Sequence, residues 1–108
     1  MVFVVVVKKI NTSIDPDKII HIMEQSNIPM GNNIKYYEKR KINKQNNTYT
    51  LHIKYRSFNE ENEKMCKFYD DLIEYKWIKL KYDDNTYFKI RIKEIDYYNF
   101  VYRNVFYD

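Results

Sequence analysis

The residue types that most often perform catalysis or bind metals are scarce and scattered in this chain of 108 residues. Its histidines are His21 and His52, and its single cysteine is Cys66. A zinc site needs three or four ligands, usually partly in closely spaced pairs, and these residues form no such pair. We therefore expect structural or surface roles for them, no bound metal and no cofactor. Stoichiometric zinc in the purified protein would contradict this expectation.

Two acidic pairs, Asp70 with Asp71 and Asp83 with Asp84, are the other candidates for chemistry. Paired carboxylates can share a proton or bind a cation. The first pair falls in a predicted helix, where adjacent side chains diverge by about 100°, and Asp-Asp is ordinary in a turn. The sequence shows no Ser-His-Asp set, phosphate-binding loop or nucleophile elbow. We expect no catalytic residues and a protein that is not an enzyme.

Composition favours a folded domain with an affinity for polyanions. Apolar residues make up 44% of the chain and aromatic residues 18%, which is too hydrophobic for a disordered protein. The formal net charge is +4 and the pI about 9.0, which permits nucleic-acid binding. A lone cysteine fits a reducing compartment, and no targeting or membrane-spanning segment is visible. We expect an intracellular protein, in the cytoplasm, nucleus or a viral factory, with no membrane partner.

The hydrophobic pattern predicts one α+β domain over residues 1–108, organised around the apolar run at residues 2–7. This run does not alternate with polar residues, which indicates a central strand covered on both faces. Asp15 and Pro16 mark the start of a helix that ends near Ser26 and Asn27. A second helix is predicted from an Asn59 cap to about Tyr75. Its predicted buried stripe consists of Met65, Cys66, Tyr69, Leu72 and Ile73.

Further strands are predicted at residues 34–42, 48–55, 77–82 and 87–95, because these segments are rich in β-formers or alternate. Residues 96–108 are too aromatic for a disordered tail, so we expect them to dock on the domain. This order predicts a ferredoxin-like βαββαβ sandwich, with two helices on one face of an antiparallel sheet and an extra C-terminal strand.

Over residues 2–93 the chain resembles an RNA-recognition-motif (RRM) domain. Residues 10–23 resemble the link and first helix of that family, and Thr48–Tyr55 stands where the family's octamer signature falls. Residues 77–89 resemble divergent RRM-like proteins encoded by large DNA viruses. The resemblance implies a ferredoxin-like fold and binding of single-stranded RNA on the sheet.

The sequence departs from the RRM pattern at the residues that stack on bases. Thr50 and His52 occupy the octamer's third and fifth positions, where the family has aromatic residues, and Tyr49 replaces the octamer's glycine. The stacking position of the first strand is either Val6 or Phe3, depending on where the hexamer ends. The usual stacking platform is therefore mostly absent, and RRM-like folds without it often bind proteins.

Two functional hypotheses follow, and charge and topology favour the first, which is nucleic-acid binding by basic residues on one sheet face. An ordinary solvated face with edge-protecting lysines is the alternative interpretation of the same pattern. His52 is included as a minor candidate for base stacking. Trp77 is either an exposed stacking aromatic or part of the core under the second helix, and we favour the core because tryptophan is usually largely buried. The predicted binding residues are Lys8, His52, Lys54, Lys79, Lys81, Lys89, Arg91 and Lys93.

The second hypothesis is a protein-interaction or self-assembly module, with a homodimer or another protein as the partner. Val4 and Val6 point to the face that an RRM offers to RNA, and apolar residues there need a dry cover. The aromatic tail supplies this cover in cis, or a second copy supplies it in trans. The predicted interaction surface consists of Val4, Val6, Tyr98, Phe100, Tyr102 and Phe106.

Overall fold

Five strands form one antiparallel sheet in the computed structural model, which describes residues 3–95 and the side chains of residues 3–93. Two helices, α1 (Pro16–Gln25) and α2 (Glu63–Tyr75), complete an α+β fold, and a short 3-10 helix spans Gly31–Asn33. The predicted contact residues Tyr98, Phe100, Tyr102 and Phe106 lie outside the described residues. The strands are β1 (Phe3–Asn11), β2 (Ile34–Asn43), β3 (Thr48–Tyr55), β4 (Ile78–Lys81) and β5 (Tyr87–Ile95).

β1 is the central strand, as its uninterrupted apolar run predicts. The strand order is β2-β3-β1-β5-β4, so β1 pairs with β3 on one side and with β5 on the other. The strand extends beyond the apolar run because a bulge lies between Val7 and Ile10, where Lys9 has a φ of 59°. The bulge lets Ile10 return to the core after two exposed lysines.

The two strands after α2 are arranged differently from our expectation of an extra C-terminal strand. β5 pairs with β1, with Val5 opposite Ile92 and Val7 opposite Ile90. β4 pairs with β5 and lies at the edge of the sheet. Among the described strands, the last one in the chain therefore lies inside the sheet, and the shorter β4 forms the edge.

Both helices cover the same face of the sheet. Ile19 and Met23 of α1 and Met65 and Leu72 of α2 belong to one buried cluster with the alternate residues of the strands. Aromatic rings fill the α2 end of this core, where the Phe3 ring stacks on Tyr55 with centroids 4.9 Å apart. The Tyr55 hydroxyl donates to the carbonyl of Pro29 at 2.9 Å, and burial raises the pKa of Tyr55. Neither α1 nor α2 therefore lies over the opposite face of the sheet.

Two details of α2 differ from the predictions. Asn62, not Asn59, caps the helix, because its Oδ1 accepts the backbone N–H of Met65 at 3.2 Å. The Asn59 side chain instead accepts the N–H of Glu61 in the turn before the helix. Phe68 is buried although it was not predicted, whereas Ile73 is 40% exposed because it lies about 100° around the helix from Leu72.

Candidate nucleic-acid interface

Alternate residues of all five strands form the sheet face opposite the helices, which we call the open face. One row of cross-strand neighbours runs from Glu38 through His52 and Val6 to Arg91. The neighbouring row contains Tyr36, Lys54 and Val4. Register therefore fixes which side chains meet on this face, since side chains alternate between the two sides of a strand.

Basic residues dominate the open face. At the strand positions whose side chains the structure describes, Glu38 is the single acid on this face, and it pairs with Arg40. Arg40 was not predicted, because β2 lacks a clear alternation of apolar and polar residues from which its register could be inferred. The structure does bring the predicted cations together there. They are Lys8, Lys54, Lys79, Lys81, Lys89, Arg91 and Lys93.

The centre of the open face is buried although neither α1 nor α2 covers it. Val6 is 4% exposed, His52 3% and Thr50 8%, while Val4 is half-buried. Val6 is therefore buried on this face, as we predicted for a strand whose apolar residues do not alternate with polar ones. It does not form an exposed apolar patch. The buried ring of His52 also removes it as a platform for base stacking.

Two aromatic residues lie beside lysines at the β4–β5 end of this face, and we call them the aromatic edge. Lys89 Nζ lies 4.6 Å from the ring centroid of Trp77, and Lys79 Nζ lies 4.6 Å from that of Tyr87. Tyr87 is 49% exposed and Trp77 is half-buried. The assignment of Trp77 to the core was wrong, because Ile78 packs against the core and the preceding residue points to the opposite face.

The surroundings of His52 disfavour its protonated form. Burial lowers the pKa of His52, and the positive charges of Lys93, Arg40 and Lys41 lower it further against the opposing effect of Glu38. The ring Nε2 is buried and makes no hydrogen bond. A buried polar atom without a partner is uncommon in native proteins and therefore calls for an explanation.

The other residues considered for chemistry are dispersed. His21 is exposed on α1, and the Cys66 thiol lies 3.7 Å from the carbonyl oxygen of Asn59. Asp83 accepts the N–H of Asn85 at 2.9 Å in the β4–β5 turn, and this hydrogen bond lowers the pKa of Asp83. Within residues 3–95, no three His, Cys, Asp or Glu side chains gather where they could hold a metal ion. The helices of this part of the chain are too short or too polar to cross a membrane.

Comparison of the chain with models of protein families, with curated proteins and with solved structures finds no match in any of the three. The chemistry of the open face is therefore the basis for proposing a function.

Proposed function

We propose that this protein is a non-catalytic, RRM-like protein that binds single-stranded nucleic acid, above all RNA, on its open face. The observation that carries the proposal is the concentration of basic side chains on one helix-free sheet surface. Cations arranged in this way neutralise successive phosphates and release counterions, which provides affinity without sequence preference.

The strand order supports a ferredoxin-like arrangement. β2, β3, β1 and β5 lie side by side in the order that two interleaved β-α-β units produce, and β4 is an addition at the edge. In such a fold both helices occupy one face, so the other face is free to bind an extended strand of nucleic acid. The open face has this position.

The aromatic edge supplies what the RRM pattern lacks at its usual stacking positions. Trp77 and Tyr87 each have a lysine beside the ring, so a base that stacks there has a cation close to its phosphate. Base–aromatic stacking tolerates any sequence because every base has a π-face. We therefore place the bases at the β4–β5 end and the backbone across the basic rows.

The test replaces Lys89 and Arg91 together by Glu. Both side chains are exposed and point away from the core, so the double variant is expected to fold normally. Its affinity for single-stranded RNA should fall for every sequence, and the plot of log affinity against log salt should flatten. Fluorescence anisotropy across a salt titration measures both quantities.

A matched control changes the net charge by the same amount on the opposite side of the molecule. Lys18→Glu with Lys64→Glu places acids in the first turns of α1 and α2, where the helix dipole favours them. This variant loses the contact between Lys18 and the Tyr82 ring but leaves the open face intact. Equal binding by the wild type and the folded Lys89/Arg91 variant would remove this surface from the site. A wild-type protein that is a dimer and ignores RNA would favour the self-assembly hypothesis.

A further inference from the structure

A small cavity lies over His52 in the middle of the open face. It measures about 70 Å³, which is enough to hold a small oxyanion. Three of its lining side chains are cations that come from three different strands. The lining residues are Val4, Tyr36, Arg40, His52, Lys54 and Lys93.

The charge of this cavity, which we call the His52 cavity, is only partly balanced. Glu38 pairs with Arg40, whereas Lys54 and Lys93 form no ion pair with any side chain that the structure describes. The positive charges around this small space repel each other, and the attraction of an anion bound between them would offset that repulsion. Arg40 retains further N–H donors beyond those that reach Glu38, since a guanidinium carries five.

The second observation does not depend on the cations. His52 is 3% exposed and lines the cavity, and its buried Nε2 lacks any hydrogen-bond partner. A neutral imidazole can carry its proton on Nε2 and then donate to an oxygen. Because the ring is buried, its face cannot stack on a base. A hydrogen bond from Nε2 at the ring edge is the contact that we assign to His52.

We propose that the His52 cavity binds a phosphate group, held by Arg40, Lys54 and Lys93 and by a hydrogen bond from His52 Nε2. The bound phosphate is then a backbone phosphate of the nucleic-acid strand, and this part of the assignment rests on the proposed function. The position at which an RRM stacks a base would then bind phosphate in this chain. Because Nε2 is buried, the side chains around the cavity must move to admit the anion to it.

The first experiment titrates the full-length protein with inorganic phosphate and follows both histidine rings by NMR. The His52 ring signals should shift saturably, and the pKa of His52 should rise, since a phosphate anion favours the protonated ring. The charged groups that face His52 are Glu38, Arg40 and Lys41 on β2, Lys54 on its own strand and Lys93 on β5. His21, exposed on α1, reports any general effect of salt. The absence of a saturable His52 response, or an equal response of His21, would overturn the proposal.

Variants then test which residues bind the anion. Arg40→Gln with Lys93→Gln should weaken the His52 response at least tenfold, whereas Lys18→Gln with Lys64→Gln removes the same charge from the helices and should leave the response unchanged. All four side chains are exposed, so each pair is expected to keep the fold, which the amide spectrum checks. Equal weakening by both pairs would mean that general positive charge attracts phosphate, and the assigned cavity would be wrong.

A third arm uses a single-stranded oligonucleotide and separates the two proposals. If the oligonucleotide binds but the Arg40/Lys93 pair binds it as well as the Lys18/Lys64 pair, the backbone-phosphate assignment fails and the proposed function stands. If phosphate shifts His52 but no oligonucleotide binds, the cavity is a site for free phosphate groups and the proposed function fails. Binding of both ligands, with loss of both in the Arg40/Lys93 pair, supports the two proposals together.

Discussion

At the scale of single residues, His52 links the open face to the stability of the fold. Its ring is buried, its Nε2 is unpartnered, and its neighbours are mostly positive, so protonation of the folded protein is unfavourable. A histidine with these properties occupies a position that an apolar residue would fill at lower cost. This cost supports the proposal that His52 Nε2 binds a ligand.

His52 should make stability depend on pH. Its folded pKa lies below the ordinary value of 6.5, so the unfolded chain takes up the proton first as the pH falls. The stability due to neutral His52 is therefore complete above about pH 6.5 and is lost as the pH falls through the folded pKa. Urea unfolding at several pH values should show this loss, and His52→Gln should reduce it. The exposed His21→Gln variant is the control, and parallel pH profiles for all three proteins would contradict the prediction.

Trp77 is the only tryptophan, so its fluorescence reports directly on the aromatic edge. Single-stranded RNA should quench this emission because a base stacks on the indole. Trp77→Ala should weaken binding by about 1–3 kcal/mol, the usual contribution of one stacked base, and Trp77→Phe should recover part of it. Both variants should retain most of the stability, since the side chain is only half-buried. Tight binding without any change in Trp77 emission would exclude stacking at this residue.

At the scale of elements, the register of the strands creates the open face. β3 and β5 have the predicted bounds because each alternates cleanly, and their polar positions became one side of the sheet. The same alternation already separated Trp77 from Ile78 in the sequence. We favoured the core for Trp77 because tryptophan is generally buried. The alternation of side chains along the strand predicts the open face for Trp77, and the structure has it there.

Other elements could not be inferred from sequence because their determinants are not local. The bulge of β1 depends on Lys9 in a left-handed conformation, which its residue type does not indicate. The start of α2 depended on a choice between Asn59 and Asn62, both of which suit a cap. The His52 cavity required knowledge of which residues of β2 and β5 lie beside β3. Long-range pairing gives this information, and hydrophobic periodicity does not.

The cap of α2 provides a test at this scale. Asn62→Ala should lower the free energy of unfolding by about 1 kcal/mol, because Met65 loses its N-cap acceptor. Asn62 Nδ2 also lies 3.3 Å from Asn33 Oδ1, so Asn62→Asp should keep the cap and lose this second contact. Asn59→Ala is the matched control and should cost less. Chemical denaturation measures all three variants, and a larger loss for Asn59→Ala would restore the original cap assignment.

At the scale of the whole molecule, the two layers differ in charge. The charged residues of the helices are mainly acidic, and those of the open face are mainly basic. The net charge of +4 therefore understates the positive potential of the open face. A polyanion that approaches such a molecule is oriented before contact. The acidic side chains of the helices are Asp17, Glu24, Glu63, Asp70, Asp71 and Glu74.

This asymmetry predicts that the distribution of charge, and not its sum, controls the association rate. The rate constant for binding a single-stranded oligonucleotide should fall steeply with salt, since screening weakens the attraction before contact. Lys89→Glu with Arg91→Glu should slow association strongly at low salt, whereas Lys18→Glu with Lys64→Glu should slow it much less. Stopped-flow measurement of Trp77 emission gives these rates. Because both pairs lower the net charge equally, equal slowing would show that the total charge attracts the ligand and that the open face does not orient it.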